Sequence, residues 1–137
     1  MRQLKHRKLW WTIAWALLAF VFIASLIPMP APPVELPQGF DKYEHILAYA
    51  SLSGYFGQLL SRFSLHLRYA LALFCMGALL EVLQGLSGYR SADYYDLAAN
   101  GIGVLLGLML CLTPLKGAVA MLDANLQTFL GRCPRLL

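Results

Sequence analysis

Charged residues are scarce in this chain. Only 13% of its 137 residues are Asp, Glu, Lys or Arg, whereas 59% are hydrophobic. A soluble domain usually has about 25% charged and about 45–50% apolar residues. The shortage of charge therefore argues against a soluble domain and indicates an integral membrane protein, with residues 1–137 forming one small domain.

Cysteine is also scarce, and the three residues are scattered at Cys75, Cys111 and Cys133. Neither a disulfide framework nor a CxxC metal pair is predicted, and cysteines inside apolar segments are typically small buried hydrophobes. The sequence has no Ser or Cys nucleophile arrangement and no nucleic-acid-binding motif. No nucleic-acid partner is therefore expected, and no cofactor is evident.

Long apolar runs make up most of the chain. They predict an all-α fold: a four-helix membrane bundle with spans at about 9–27, 43–60, 67–86 and 94–114. Because the first run is long and no cleavage site follows it, we expect a retained helix rather than a signal peptide. A weaker pattern at about 117–131 predicts an amphipathic helix on the membrane surface, with Leu122 and Phe129 on its apolar face and Asp123 on its polar face.

The basic residues predict how the bundle is oriented. With four spans, nine Lys and Arg residues fall on the side of the two termini, and only Lys42 and Arg90 fall on the other side. The positive-inside rule then places both termini in the cytoplasm. The net charge of +4 reflects this orientation and requires no anionic partner.

Polar residues collect at the outer ends of three predicted helices. They are Asp41, Lys42, His45 and Tyr49 on the second helix, Glu81 and Gln84 on the third, and Arg90, Asp93, Asp96 and Asn100 in the loop and fourth helix. Helical spacing puts Asp41, His45 and Tyr49 on one face, and Asp93, Asp96 and Asn100 on another. Ionisable residues at membrane depth are costly to bury, so they are candidates for function.

If the site is catalytic, we expect His45 and Glu81 to act as an acid–base pair, with Asp96 as a further catalytic candidate. Lys42 and Arg90 would hold a phosphate. The substrate-binding candidates among the remaining residues are Asp41, Tyr49, Gln84, Asp93 and Asn100. The carboxylates also suit a sugar, an amine or a divalent cation, although a single His does not predict a metal-ligand set.

Structural roles compete with these assignments. Asp41 and Asp93 can cap the helices that follow them, and Asp96 suits the positive end of a helix dipole. Glu81 can pair with His45 or Arg90 to lock the bundle, and Asn100 and the glycines can serve helix packing. A non-catalytic structural or partner-binding protein is thus the second hypothesis. A small transporter is the third, although the inner half of the bundle lacks the ionisable groups it would need.

Three motifs occur in order at helix ends: Asp41-Lys42-x-x-His45-x-x-x-Tyr49, Glu81-x-x-Gln84, and Arg90-x-x-Asp93-x-x-Asp96-x-x-x-Asn100-x-x-Gly103-x-x-x-Gly107. In these motifs the chain resembles the VanZ-like family of small bacterial membrane proteins. The resemblance implies a multi-pass protein of the bacterial cytoplasmic membrane that is linked to the cell envelope. The family's namesake is associated with resistance to the glycopeptide teicoplanin. Expected partners are therefore membrane lipids and a lipid-linked or glycopeptide ligand.

Overall fold

The computed structural model describes residues 4–27, 37, 39–88 and 93–132, which are helical with no strand among them. The five α-helices are α1 (Arg7–Leu26), α2 (Phe40–Leu59), α3 (Phe63–Ser87), α4 (Tyr94–Leu110) and α5 (Ala118–Arg132), and a short 3-10 helix, Pro114–Gly117, precedes α5. The predicted all-α fold is confirmed.

Two helix starts show how the sequence positions the polar residues. Asp93 caps α4, because its side chain accepts a hydrogen bond from the Tyr95 backbone N–H, as predicted. Asp41 does not cap α2, so the capping alternative is wrong for this residue. The N-cap position is occupied by Gly39, whose φ of 82° lies in the left-handed region that favours glycine. Asp41 instead lies in the first turn of α2.

Two helices, α1 and α3, are long and apolar enough to cross a membrane. A third span results if α4 and the helical segment from Pro114 are counted together, although the chain bends by 74° between them. In contrast to the four predicted spans, α2 and α4 do not qualify alone. Three of the first five residues of α2 are charged, and α4 has only 17 residues. The described helices thus indicate a membrane protein.

The closest helix contact joins α2 to α4. A Cβ added to Gly103 would lie 2.5 Å from the carbonyl oxygen of Ile46, and one added to Gly107 would lie 2.5 Å from that of Ala50. The two backbones therefore touch where α4 has no side chain, and the predicted packing role of these glycines is confirmed. This contact holds the polar beginnings of α2 and α4 side by side.

Aromatic side chains fill the opposite end of the bundle. The Phe56 and Tyr69 rings stack with centroids 5.3 Å apart, and Trp11 contacts both rings at about 6 Å. Trp10 and Trp11 are half-buried and pack against the core. Cys75 is exposed, contrary to expectation, whereas Cys111 is buried.

The position predicted for Asp123, on the polar face of a surface helix, is wrong. Its side chain is buried on α1 instead of facing away from the protein, with only 4% of the residue exposed. The carboxylate accepts hydrogen bonds from the backbone N–H groups of Lys5 and His6 and from Trp10 Nε1, at 2.6, 3.0 and 2.9 Å. Asp123 thereby caps the start of α1 from another helix, where His6 makes no capping bond of its own.

The hydrogen bonds dominate the ionisation of this carboxyl group. Burial raises the pKa of Asp123, but hydrogen bonds from Trp10, His6 and Lys5 outweigh burial and lower the pKa to about 2. On the other side of α5, Leu122 and Phe129 are exposed. Part of the apolar face predicted for this helix thus remains on the outside of the described structure, although Val119 of the same face is buried, while one residue of the polar face is used as a cap.

Candidate functional site

Most of the predicted site residues come together at the end of the bundle where α2 and α4 begin. Glu81, Asp96 and Asn100 are buried there with only 6%, 4% and 1% of each residue exposed. Tyr49, one turn after His45 on α2, is also buried. Of the remaining predicted residues, Arg90 lies outside the described residues.

Lys42 is surrounded by carboxylates. Its Nζ lies 2.8 Å from Asp41 Oδ2, 2.6 Å from Asp93 Oδ2 and 2.7 Å from Asp96 Oδ1. Hydrogen bonds to Asp41, then Asp93 and Asp96, raise the pKa of Lys42 above its ordinary value, and the same bonds lower the pKa values of Asp41 and Asp93. Lys42 was expected to hold a phosphate with Arg90, but its ammonium group is already shared among three carboxylates.

His45 is held in a defined orientation. Its Nδ1 lies 2.9 Å from Asn100 Oδ1. Because an amide oxygen only accepts hydrogen bonds, this contact places a proton on Nδ1. The other ring nitrogen, Nε2, faces Asp96 Oδ2 at 3.7 Å.

Glu81 approaches the same point from α3. Its Oε2 accepts a hydrogen bond of 3.4 Å from the Asp93 backbone N–H, so it also contacts the start of α4. His45, Glu81 and Asp96 each offer one ligand atom, and these atoms lie within 4.8 Å of one another. The three residues were predicted as catalytic candidates but not as a metal-ligand set. They are far apart in sequence, so no local spacing pointed to a shared ligand.

Two predicted substrate-binding residues lie beside this cluster and differ in their contacts. The Tyr49 hydroxyl is buried without a hydrogen-bond partner among the described residues. It lies close enough to Glu81 for the two groups to interact electrostatically. Gln84 instead donates from Nε2 to the Ser25 carbonyl oxygen at 2.8 Å, which ties α3 to α1. In the described structure Gln84 therefore has a contact that serves packing.

An apolar groove runs between α1 and α2 and ends at this polar cluster. It has a volume of about 420 Å³, and its apolar lining includes Leu17, Phe20, Val21, Leu47, Ala48 and Leu52. Small-molecule sites usually have volumes of about 300–1,000 Å³. His45 and Glu44 also line the groove. The sequence did not predict it, because the apolar residues of α1 carry no signal of which helix they face.

The arrangement combines an oriented imidazole, two buried carboxylates and an adjoining apolar groove. These groups can transfer protons, hold a cation or bind hydroxyl and amine groups. The described charges at the cluster are mainly acidic, since Lys42 faces three aspartates. Comparison of the chain with protein-family models, curated proteins and solved structures finds no match.

Proposed function

We propose that this chain is a VanZ-like protein of the bacterial cell envelope that binds a membrane lipid. The lipid's acyl chain would occupy the groove between α1 and α2, and its head group would contact the cluster of His45, Glu81 and Asp96. The observation that carries this proposal is the position of His45. Its side chain lines the apolar groove and also contacts the buried Asn100 and Asp96.

The charge distribution supports a location in the outer leaflet. In the proposed topology α1 to α4 cross the bacterial cytoplasmic membrane, both termini are cytoplasmic, and α5 lies on the inner surface. The excess of Lys and Arg on the side of the termini supports this orientation. The beginnings of α2 and α4, and with them the polar cluster, then face the outside of the cell.

The cluster also supports a chemical step on the bound lipid. His45 and Glu81 would serve as an acid–base pair that activates water, with Asp96 holding the imidazole or the substrate. The head group would belong to a phospholipid or to a lipid-linked cell-wall intermediate. Through the latter, the protein would influence susceptibility to glycopeptide antibiotics, as the VanZ-like resemblance implies.

The binding proposal is tested by the lipid that copurifies with the protein. Ala48→Phe fills part of the groove, whereas Ala72→Phe adds the same ring to an exposed position on α3. We expect native mass spectrometry to show bound lipid in the wild type and Ala72→Phe, with a loss of about tenfold in Ala48→Phe. Equal lipid in both variants, at equal thermal stability, would contradict the proposal.

A purely structural role is the second candidate, and Lys42 favours it. One ammonium group joins Asp41 on α2 to Asp93 and Asp96 at the beginning of α4. The cluster would then lock these helices without binding a ligand. The variants His45→Ala, Glu81→Gln and Asp96→Asn separate the two candidates. A functional site predicts stable variants that lose an envelope phenotype such as antibiotic susceptibility, whereas a structural lock predicts loss of folding in all three.

A further inference from the structure

The orientation of His45 points to a ligand at its Nε2 atom. Asn100 Oδ1 fixes the proton on Nδ1, so the lone pair of a neutral His45 ring is on Nε2. That nitrogen faces the Asp96 carboxylate at 3.7 Å. A metal ion between these two electron-rich atoms would interact favourably with both.

The same arrangement is the usual environment of a metal-binding histidine. Such a histidine donates its other ring N–H to a carbonyl or carboxylate oxygen, which fixes the tautomer and aims the coordinating nitrogen. Here the Asn100 amide oxygen occupies that position. Asn100 comes from α4 and is only 1% exposed, so it holds the ring from a rigid part of the structure.

Tyr49 provides a separate observation at the same place. Its hydroxyl is buried, and no hydrogen-bond partner is found for it among the described residues. A buried polar atom without a partner commonly marks the position of a water molecule or an ion. The hydroxyl lies near Glu81. It also lies close to Gly77 of α3, because a Cβ built on Gly77 would be 3.0 Å from the Tyr49 hydroxyl oxygen and 2.9 Å from Asn100 Nδ2.

We infer that His45, Glu81 and Asp96 form a binding site for a divalent metal ion with one imidazole and two carboxylate ligands. Zn²⁺ and Mn²⁺ accept such a mixed set, whereas Mg²⁺ usually binds through oxygen alone. Three protein ligands leave a position for water, which is the arrangement of catalytic zinc sites, so with a metal bound the ion, and not the His45–Glu81 pair, would activate the water. A bound water in this position is a suitable partner for the Tyr49 hydroxyl.

The distances are compatible with this site after small side-chain movements. Tetrahedral Zn²⁺ with bonds of about 2.0–2.2 Å holds its ligand atoms roughly 3.4 Å apart. The distance from His45 Nε2 to Asp96 Oδ2 is already 3.7 Å. The three ligand atoms lie within 4.8 Å of one another, so side-chain movements of about 1 Å would complete the set.

A metal ion would also explain how an acidic cluster accepts a phosphate. Lys42 is engaged by three carboxylates, so it has little capacity to neutralise a further anion. The ion would provide that positive charge next to the groove. This last step rests on the proposed lipid binding, whereas the metal site itself does not.

The test is a titration of metal-free protein in detergent with Zn²⁺ alone, then Mn²⁺ and Mg²⁺, followed by calorimetry and elemental analysis. We expect one equivalent of Zn²⁺ or Mn²⁺, a higher Tm with the bound metal, and no binding in His45→Ala or Glu81→Gln. Asn100→Ala should bind roughly 10–100-fold more weakly, because it removes the group that orients His45. The matched control is His66→Ala, near the beginning of α3 and far along that helix from Glu81, which should leave the affinity unchanged.

Absence of stoichiometric binding to the wild type would overturn the inference. Full affinity in His45→Ala would also overturn it by placing the metal elsewhere. If His45→Ala does not fold, Asn100→Ala and the change in wild-type Tm decide the question. Lipid copurification is measured independently, so loss of lipid binding with intact metal binding would contradict only the proposed function.

Discussion

Asp96 and Asp123 are both buried aspartates, and they lie at opposite ends of the helix bundle. Asp123 accepts hydrogen bonds from two backbone N–H groups and an indole N–H, so its carboxylate is surrounded by donors. Asp96 instead shares the Lys42 ammonium with two other aspartates and faces His45 and Glu81. The protein itself therefore supplies the hydrogen-bond donors for the Asp123 carboxylate. The end that contains Asp96 instead concentrates groups suited to a ligand.

This difference distinguishes a buried charge that stabilises the fold from a buried charge that can bind a ligand. A carboxylate that satisfies the free N–H groups of a helix start stabilises the fold and leaves no position for a ligand. His45, Glu81 and Asp96 come from three different helices. Their contact does not stabilise the fold in a comparable way, because apolar packing of the same volume is often as stable. Depth of burial alone does not distinguish the two cases.

The largest effect is expected at the close contact between α2 and α4. A Cβ added at Gly107 would lie within 2.6 Å of Ala50 O, Gly54 N and Ser53 Cβ, and the larger side chain of Gly107→Val would meet the same atoms. We expect a loss of about 3 kcal/mol in the free energy of unfolding, at the upper end for overpacking. Thermal unfolding in detergent measures this loss.

Gly131→Val is the matched control, because no atom lies within 4 Å of a Cβ at Gly131. It should change stability by no more than about 0.5 kcal/mol. Equal effects of the two substitutions would contradict the close contact between α2 and α4. That contact is also what brings Asp96 to His45, so Gly107→Val should weaken ligand binding as well.

The next effect concerns the end that contains Asp123. Asp123→Ala removes the acceptor of several hydrogen bonds and leaves the start of α1 uncapped. We expect Tm to fall by about 5–10 °C, because hydrogen bonds to a charged group are among the stronger ones. Circular dichroism on heating measures the change. An unchanged Tm would show that the cap contributes nothing, and the contrast with Asp96 would then fail.

The pH dependence of stability sharpens the same point. The folded-state pKa of Asp123, about 2, lies below its ordinary value of 3.8. The ionised group therefore adds stability above about pH 4, and that stability is lost as pH falls from about 4 to 2. Asp41 and Asp93 also have lowered pKa values, so the informative quantity is the difference in Tm between the wild type and Asp123→Asn. This difference should shrink over that pH range, and a constant difference would contradict the assignment.

The smallest effect is expected at Lys42, which is itself partly exposed, as are its partners Asp41 and Asp93. Lys42→Met leaves three neighbouring aspartates without their shared cation. Because solvent screens such pairs, we expect a loss of about 1 kcal/mol, measured by thermal unfolding at low salt and smaller at high salt. Lys8→Met, at an exposed position of α1, is the control and should have no effect. A loss of several kcal/mol at Lys42 would favour the structural lock over a ligand site.

The sequence was sufficient for the helices and for much of the polar cluster. Apolar run lengths predicted the helical segments, and helical spacing placed Asp96 and Asn100 on one face of α4. The glycines at 103 and 107 predicted close packing because small residues allow helix backbones to touch. These signals are local, so they can be found in one sequence without knowledge of the tertiary structure.

Other features depend on contacts between distant residues. Asp123 was expected on a polar surface because periodicity distinguishes the faces of a helix but does not show that a helix start 117 residues away needs an acceptor. The triple contact of Lys42 and the groove beside His45 were missed for the same reason. Similarly, Asp41 was one candidate for the cap because its residue type is typical, whereas Gly39 occupies the N-cap position.

The most direct test of the contrast compares Asp96→Asn with Asp123→Asn, the same substitution at the two ends, by measuring Tm and copurified lipid for each. We predict that Asp96→Asn retains its Tm within about 3 °C but loses lipid roughly tenfold. Asp123→Asn should lower Tm and retain the lipid bound per folded molecule. If Asp96→Asn instead lowers Tm as much as Asp123→Asn and retains its lipid, both aspartates are structural and the proposed site is wrong.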